Sequence, residues 1–191
     1  MPLDATRNGL VLPLLGLLVE QPAHAYALTT RLTGRYPQLS ATRSTVTTLL
    51  RSLAGAGLLR GSTPERVGNR PPRTAYQLTA AGVAHFRLRV EEDLTAAQVA
   101  STGFVTALAY VGILPATRAV TILQARSGRL RSEEAALPDD PIGVPEIHMI
   151  EVAYWRHLLT AEADWTATLA ARIRAGDLAW PSGPTSAEAT S

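Results

Sequence analysis

The chain contains no cysteine and no lysine, its aromatic residues make up only 5%, and its first half holds almost no acid. Each shortage closes off a class of protein. Without cysteine there is no disulfide frame, no thiolate metal site and no thiol nucleophile. Histidine does not supply a metal set either: His148 and Glu151 lie one helical turn apart with His157 further along, and no third ligand stands at metal-site spacing. No nucleophile elbow, phosphate-binding loop or dinucleotide glycine pattern occurs, and the acid pairs Glu91-Glu92 and Glu133-Glu134 read as helix surface. An enzyme is therefore not expected, and neither is a cofactor.

What is present is unevenly placed. Residues 1–90 carry 11 arginines against Asp4, Glu20 and Glu65, a net +8, whereas residues 91–191 carry 7 arginines against 13 acids, a net −6. The overall +2 hides a basic half joined to an acidic half. Such a split points to an anionic partner for the first half only, and nucleic acid is the partner whose phosphates reward arginine most. Hydrophobic content of 46% with 18% charge belongs to a folded chain.

The apolar run Leu10–Val19 is much shorter than the roughly 20 residues of a membrane span, and Asp4 offsets Arg7 ahead of it. It reads as a buried helix over 9–21, not as a secretory leader, so the expected location is cytoplasmic. A second helix is predicted from His24 to Arg35, with Tyr26, Ala27, Leu28 and Leu32 facing inward. Ser40 has the chemistry of an N-cap for a third helix, in which Val46, Leu49, Leu50 and Leu53 recur at i, i+3, i+4 and i+7 as one buried stripe. Ser44, Thr48 and Arg51 then fall opposite that stripe, with Arg43 and Thr47 at its edges. Beyond Gly55 and Gly57 a strand starts at Leu58-Leu59, a Pro/Gly-broken loop carries Arg60, Arg66, Arg70 and Arg73 against Glu65 alone, and Thr74–Leu78 alternates as a returning strand. Thr79 should cap the next helix, which runs to about Ala100.

A helix with a small, hydrogen-bonding outer face fits the major groove, and a following basic hairpin has phosphates to hold. The predicted DNA-contacting set is Ser40, Arg43, Ser44, Thr47, Thr48, Arg51, Arg66, Arg70 and Arg73. The pieces Leu15-Gly16-Leu17-Leu18, Pro22-Ala23-His24-Ala25-Tyr26, Ser40–Val46, Leu50-Arg51-Ser52-Leu53, Gly57-Leu58-Leu59 and Arg73–Gly82 occur in the order and spacing of one family. Residues 10–82 resemble the PadR family of transcriptional regulators. Two positions depart from its pattern. Ala25 replaces a usual glycine, and Thr47 replaces a usual tyrosine of the recognition helix. The resemblance implies a homodimer joined through C-terminal helices that represses transcription until a small molecule intervenes.

The second half shows no strand signals. Helices are expected over 104–113 and 116–136, then a Pro-rich connection over 137–145, then a long helix over 146–175 ended by Gly176. Ile147, Ile150, Tyr154, Leu158, Ala161, Trp165, Leu169 and Ile173 are spaced three or four apart along that helix. The stripe has more large apolar groups than a short second half can cover, so Ile147, Ile150, Tyr154, Leu158, Trp165, Leu169 and Ile173 are expected to form a dimer interface. A small aromatic effector would stack among Phe104, Tyr110, Tyr154, Trp155 and Trp165.

The expected protein is mainly α: a winged helix-turn-helix domain with a small β-hairpin wing over residues 1–100, a helical dimerisation and effector domain over 101–180, and a disordered tail over 181–191. The expected function is sequence-specific binding of a palindromic operator in double-stranded DNA. The rival is a winged-helix protein-interaction module that does not bind DNA.

Overall fold

The computed structural model describes residues 8–63, 74–138 and 145–181. They form two compact units, residues 1–89 and 90–191.

In the first unit, α1 (Val11–Glu20), α2 (Ala25–Arg35) and α3 (Arg43–Gly55) precede a small antiparallel sheet. Residues 10–18 are all buried, so the near-continuous apolar run of α1 is enclosed on every side, with Pro13 in its first turn where a missing N–H breaks no bond. No described helix is long and apolar enough to cross a membrane. α2 buries Leu28 and Leu32. Tyr26 does not join them. The residue is 58% exposed, because two residues along a helix turn the side chain by about 200° and carry it away from the Leu28 face. Glu20 at the end of α1 holds Arg31 (2.6 Å) and Arg35 of α2.

α3 buries the predicted stripe of Val46, Leu49, Leu50 and Leu53. Its cap, however, is Thr42, not Ser40. The extended Thr42 backbone aims Oγ1 at the Thr45 N–H (3.2 Å), which leaves Ser40 exposed in the preceding loop.

The sheet contains β1 (Ala23–His24), β2 (Leu59–Gly61) and β3 (Ala75–Leu78) in the order β1-β3-β2. Two strands were expected; β1 was not, since two residues carry no alternation to read. It pairs Ala23 with Tyr76 and His24 with Ala75, while β2 pairs Leu59 with Leu78. Thr79 caps α4 (Ala80–Ala96) as expected. Its hydroxyl accepts the Gly82 N–H (3.0 Å) and donates to the Gly57 carbonyl (2.7 Å). That cap seats the first turn of α4 on the end of β2 so closely that a Cβ on Gly82 would lie 2.0 Å from the Leu58 carbonyl oxygen. Backbone cannot swing aside as a side chain can. Gly82→Ala should lower stability by about 3 kcal/mol, read as a shift of the urea unfolding midpoint; an unchanged midpoint would show that the α4 cap tolerates displacement.

In the second unit, α4 stops at Ala96, short of the expected Ala100, and Ala100 itself adopts a left-handed backbone (φ 56°) that ends the helical path. α5 (Thr102–Ala109) follows, capped by Ser101, and the chain beyond it tightens into a 3₁₀ turn over Val111–Ile113 instead of continuing as α-helix. α6 (Ala116–Ala135) packs along α7 (Ile150–Ala175), which is preceded by a 3₁₀ turn over Glu146–His148 and ended by left-handed Gly176. Leu178 and Trp180 then fold back onto the cluster of Leu123, Ala170 and Ile173, where the Trp180 indole donates to the Leu114 carbonyl (2.9 Å). Pro181 rests near Gly112, and the rest of the predicted tail lies outside the described residues.

A charged side chain sits at the centre of this unit. Arg126 on α6 is 1% exposed. Its Nε and Nη2 donate to Glu162 Oε1 on α7 (2.8 and 2.5 Å), and Nη1 donates to the Leu94 and Ala97 carbonyls (3.2 and 2.8 Å). Nη2 also reaches the Gln98 carbonyl (3.3 Å). The guanidinium lies over the Phe104 ring at 3.8 Å, and Glu162 Oε2 accepts the Ala100 N–H at 2.7 Å. Arg126 thus closes the end of α4 and fastens it to α5 and α7. Burial pulls its pKa below the ordinary arginine value, while the hydrogen bond and charge of Glu162 pull it back up.

Candidate nucleic-acid interface

The face of α3 opposite its buried stripe presents Ser44, Thr48 and Arg51 to solvent, with Arg43 exposed in the first position of the helix and Thr47 half-buried. Two of the small hydroxyls already have partners within the protein. Ser44 Oγ lies 2.9 Å from Thr42 Oγ1, and Thr47 Oγ1 donates to the Arg43 carbonyl at 2.8 Å. Thr48, Arg43 and Arg51 are therefore the side chains of this helix best placed to reach a partner, with Ser44 able to exchange one bond for another.

The short strand β1 shapes what lies beside α3. Pairing with β3 brings the start of α2 against Tyr76, and the result is an open hollow of about 190 Å³ lined by His24, Ala25, Tyr26, Arg43, Thr47, Arg51, Thr74 and Tyr76. Guanidinium, phenol, imidazole and hydroxyl groups line it, and among the described residues no carboxylate does. Such a surface offers hydrogen-bond donors and positive charge, which suits an acceptor-rich, negatively charged partner. The Arg43 guanidinium lies 5.4 Å from the centre of the Tyr26 ring. Tyr26 and Tyr76 were absent from the predicted contact set. The packing of α2 on α3 brings Tyr26 into the hollow, and the β1–β3 pairing, which joins residues more than fifty positions apart, sets Tyr76 beside the start of α2.

Arg66, Arg70 and Arg73 of the predicted set lie outside the described residues. The wing's base is described: the Ser62 N–H donates to the Ala75 carbonyl (2.7 Å), and the Ala75 N–H donates to Ser62 Oγ (3.1 Å).

A capped helix with a donor-rich outer face, followed by an antiparallel wing, is the arrangement of a winged helix. Residues 14–88 match the model of the transcriptional regulator PadR-like family. This stretch is similar to a PadR-like domain. Among solved structures, the chain is similar to Bacillus subtilis PadR in complex with operator DNA, at 16% identity over 85% of this chain and 97% of that one, with a TM-score of 0.42. It is also similar to the same regulator in complex with p-coumaric acid (16% identity, 87% and 99% covered, TM-score 0.38). The PadR-like regulator BC1756 of Bacillus cereus matches at 14% identity over 91% of this chain and 99% of that one, with a TM-score of 0.39. No curated protein matches the sequence.

The residues predicted for the second unit divide into two groups. Phe104 and Tyr110 are buried, Phe104 beneath the Arg126 guanidinium, so neither forms an open wall. Tyr154 and Trp165 are 60% and 51% exposed on α7, and Ile147, Ile150 and Trp155 are exposed with them. Leu158 and Leu169 are half-buried, while Ile173 turns inward against Leu123 and Ala170. The inward face of α7 is a different stripe, formed by Leu159, Ala163, Thr166, Ala170 and Ile173. Among the described residues no cluster of His, Asp or Glu could hold a metal ion.

Proposed function

We propose that this protein is a dimeric transcriptional regulator that binds a palindromic site in double-stranded DNA, acting in the cytoplasm as a repressor that a small molecule releases. The observation that carries the reading is the outer face of α3: Arg43, Thr48 and Arg51 exposed beside a hollow whose described lining is rich in donors and holds no carboxylate, in a stretch that matches the PadR-like family. The major groove admits a helix whose outer groups are short or end in a fork that matches a base edge. Arg43 and Arg51 supply the forks, while Arg66, Arg70 and Arg73 of the wing hold neighbouring phosphates. Two copies of α3 related by a two-fold axis read two half-sites, hence the palindrome. The effector is a small aromatic molecule seated among the exposed rings of α7, Tyr154, Trp155 and Trp165, where its binding alters the pairing of the two copies.

Selecting binding sites from a random pool of duplexes tests this directly. A palindromic consensus is expected, and Arg43→Ala or Arg51→Ala should each lose about 1–3 kcal/mol of discrimination between that consensus and unrelated DNA. If no duplex is enriched, the fold is serving as a protein-interaction module instead.

A further inference from the structure

We propose that Tyr26 is a positioning residue for base recognition: its ring holds the Arg43 guanidinium in the orientation that reads a base edge. The inference rests on the DNA-binding reading and concerns the same face. An exposed aromatic ring on a helix that buries leucines gains little from the fold, and Tyr26 contributes nothing to the α2 core. What it does contact is Arg43, whose guanidinium carbon lies 5.4 Å from the ring centre, within the range of a cation–π interaction. Arg43 opens α3, and α3 itself (Arg43–Gly55) contains no aromatic residue. Thr47, one turn along, cannot brace it, because its hydroxyl turns back to the Arg43 carbonyl. The bracing ring therefore comes from another element, α2, which packs directly against α3.

The chemistry of the pair favours readout. A guanidinium resting on a ring face keeps its N–H groups in the plane of the fork, directed away from the ring and free for a bidentate acceptor. The O6/N7 edge of guanine is such an acceptor. An arginine already restrained also loses less rotamer freedom on binding than one waving in solvent. His24, Arg51 and Tyr76 line the same hollow and surround the pair with further donors.

The test compares dissociation constants for the selected consensus duplex and an unrelated duplex of equal length, at one salt concentration. The proteins are wild type, Tyr26→Ala, Tyr26→Phe, Arg43→Ala and the double variant Tyr26→Ala/Arg43→Ala. Tyr26→Ala is expected to weaken consensus binding roughly two- to fivefold, with the unrelated duplex and the melting temperature unchanged. Tyr26→Phe should behave as wild type, since the interaction needs the ring and not the hydroxyl. On the Arg43→Ala background, Tyr26→Ala should add nothing. A full Tyr26→Ala effect on that background would overturn the proposal, because the ring would then be touching DNA by itself. Wild-type affinity in Tyr26→Ala would overturn it too. Absence of any consensus binding by the wild type is the separate failure that removes the DNA-binding reading, and this proposal with it.

Discussion

Replacing Arg126 with alanine is expected to remove about 3–5 kcal/mol of stability, seen as a large fall in the urea unfolding midpoint of the whole chain. The size follows from what would be left behind. Every N–H of the guanidinium is engaged, by Glu162 and by the Leu94, Ala97 and Gln98 carbonyls. Alanine would strand the Glu162 carboxylate, which is only 12% exposed, and open a void above Phe104. It would also uncap the last carbonyls of α4, of which Leu94 is buried. The comparison with Arg126→Met/Glu162→Leu separates these terms. Removing both charges with apolar groups of similar volume erases the stranded carboxylate, a change that is often neutral or better for a buried pair. The α4 carbonyls and the Ala100 N–H stay unpaired in that variant, so recovery should be partial. A loss below about 1 kcal/mol for Arg126→Ala would mean that water replaces the guanidinium without difficulty, and the knot would then not hold the unit together.

The same residue shows where sequence reasoning stopped. Arginine is ordinarily a surface residue, and the eye passes over it in a helix. The available signal was its place: Ala119, Ile122, Leu123, Arg126 and Leu130 share the buried face of α6, so a charge stood on an apolar stripe. A matching carboxylate was also due on the partner helix, and Glu162 precedes Ala163 of the inward stripe of α7. Tyr26 failed for a geometric reason, its placement being two residues from Leu28 and not three or four. The stripe of α3, the Thr79 cap and the Gly176 terminus were legible because each depends on neighbours within a turn or two. The hollow beside α3 was not, because a two-residue strand assembles it. On α7 the spacing rule found a real apolar face, but the helix has two. Among the described residues, Ile147, Ile150, Tyr154 and Trp165 of the stripe richer in large residues stay exposed, and smaller Ala163, Thr166 and Ala170 face inward.

That uncovered stripe yields the second large effect. Ile150→Asp combined with Trp165→Glu is expected to convert the proposed dimer into a monomer, halving the mass found by sedimentation equilibrium. Both side chains are exposed in the single chain, and the α6–α7 packing uses the other face, so the second unit itself should keep its helical signal. Tyr154 and Trp165 lie within about 20° of one another around the α7 axis, with Ile150 and Leu158 beside them. Together they make a seam of the kind that pairs two helices. Large exposed aromatic groups in such a row are costly to leave in water, and a second copy of the same row can remove them from it. For the proposed operator binding the consequence is multiplicative: two linked reading helices outbind a single one by roughly 10²–10⁴ through effective concentration alone. The variant should therefore lose consensus binding by about that factor, although no residue of α3 has changed. Unaltered mass in the variant would place the seam elsewhere on the chain. A monomeric variant that still binds a full palindrome with wild-type affinity would show that the two half-sites are read independently, and the link between α7 pairing and operator recognition would be lost.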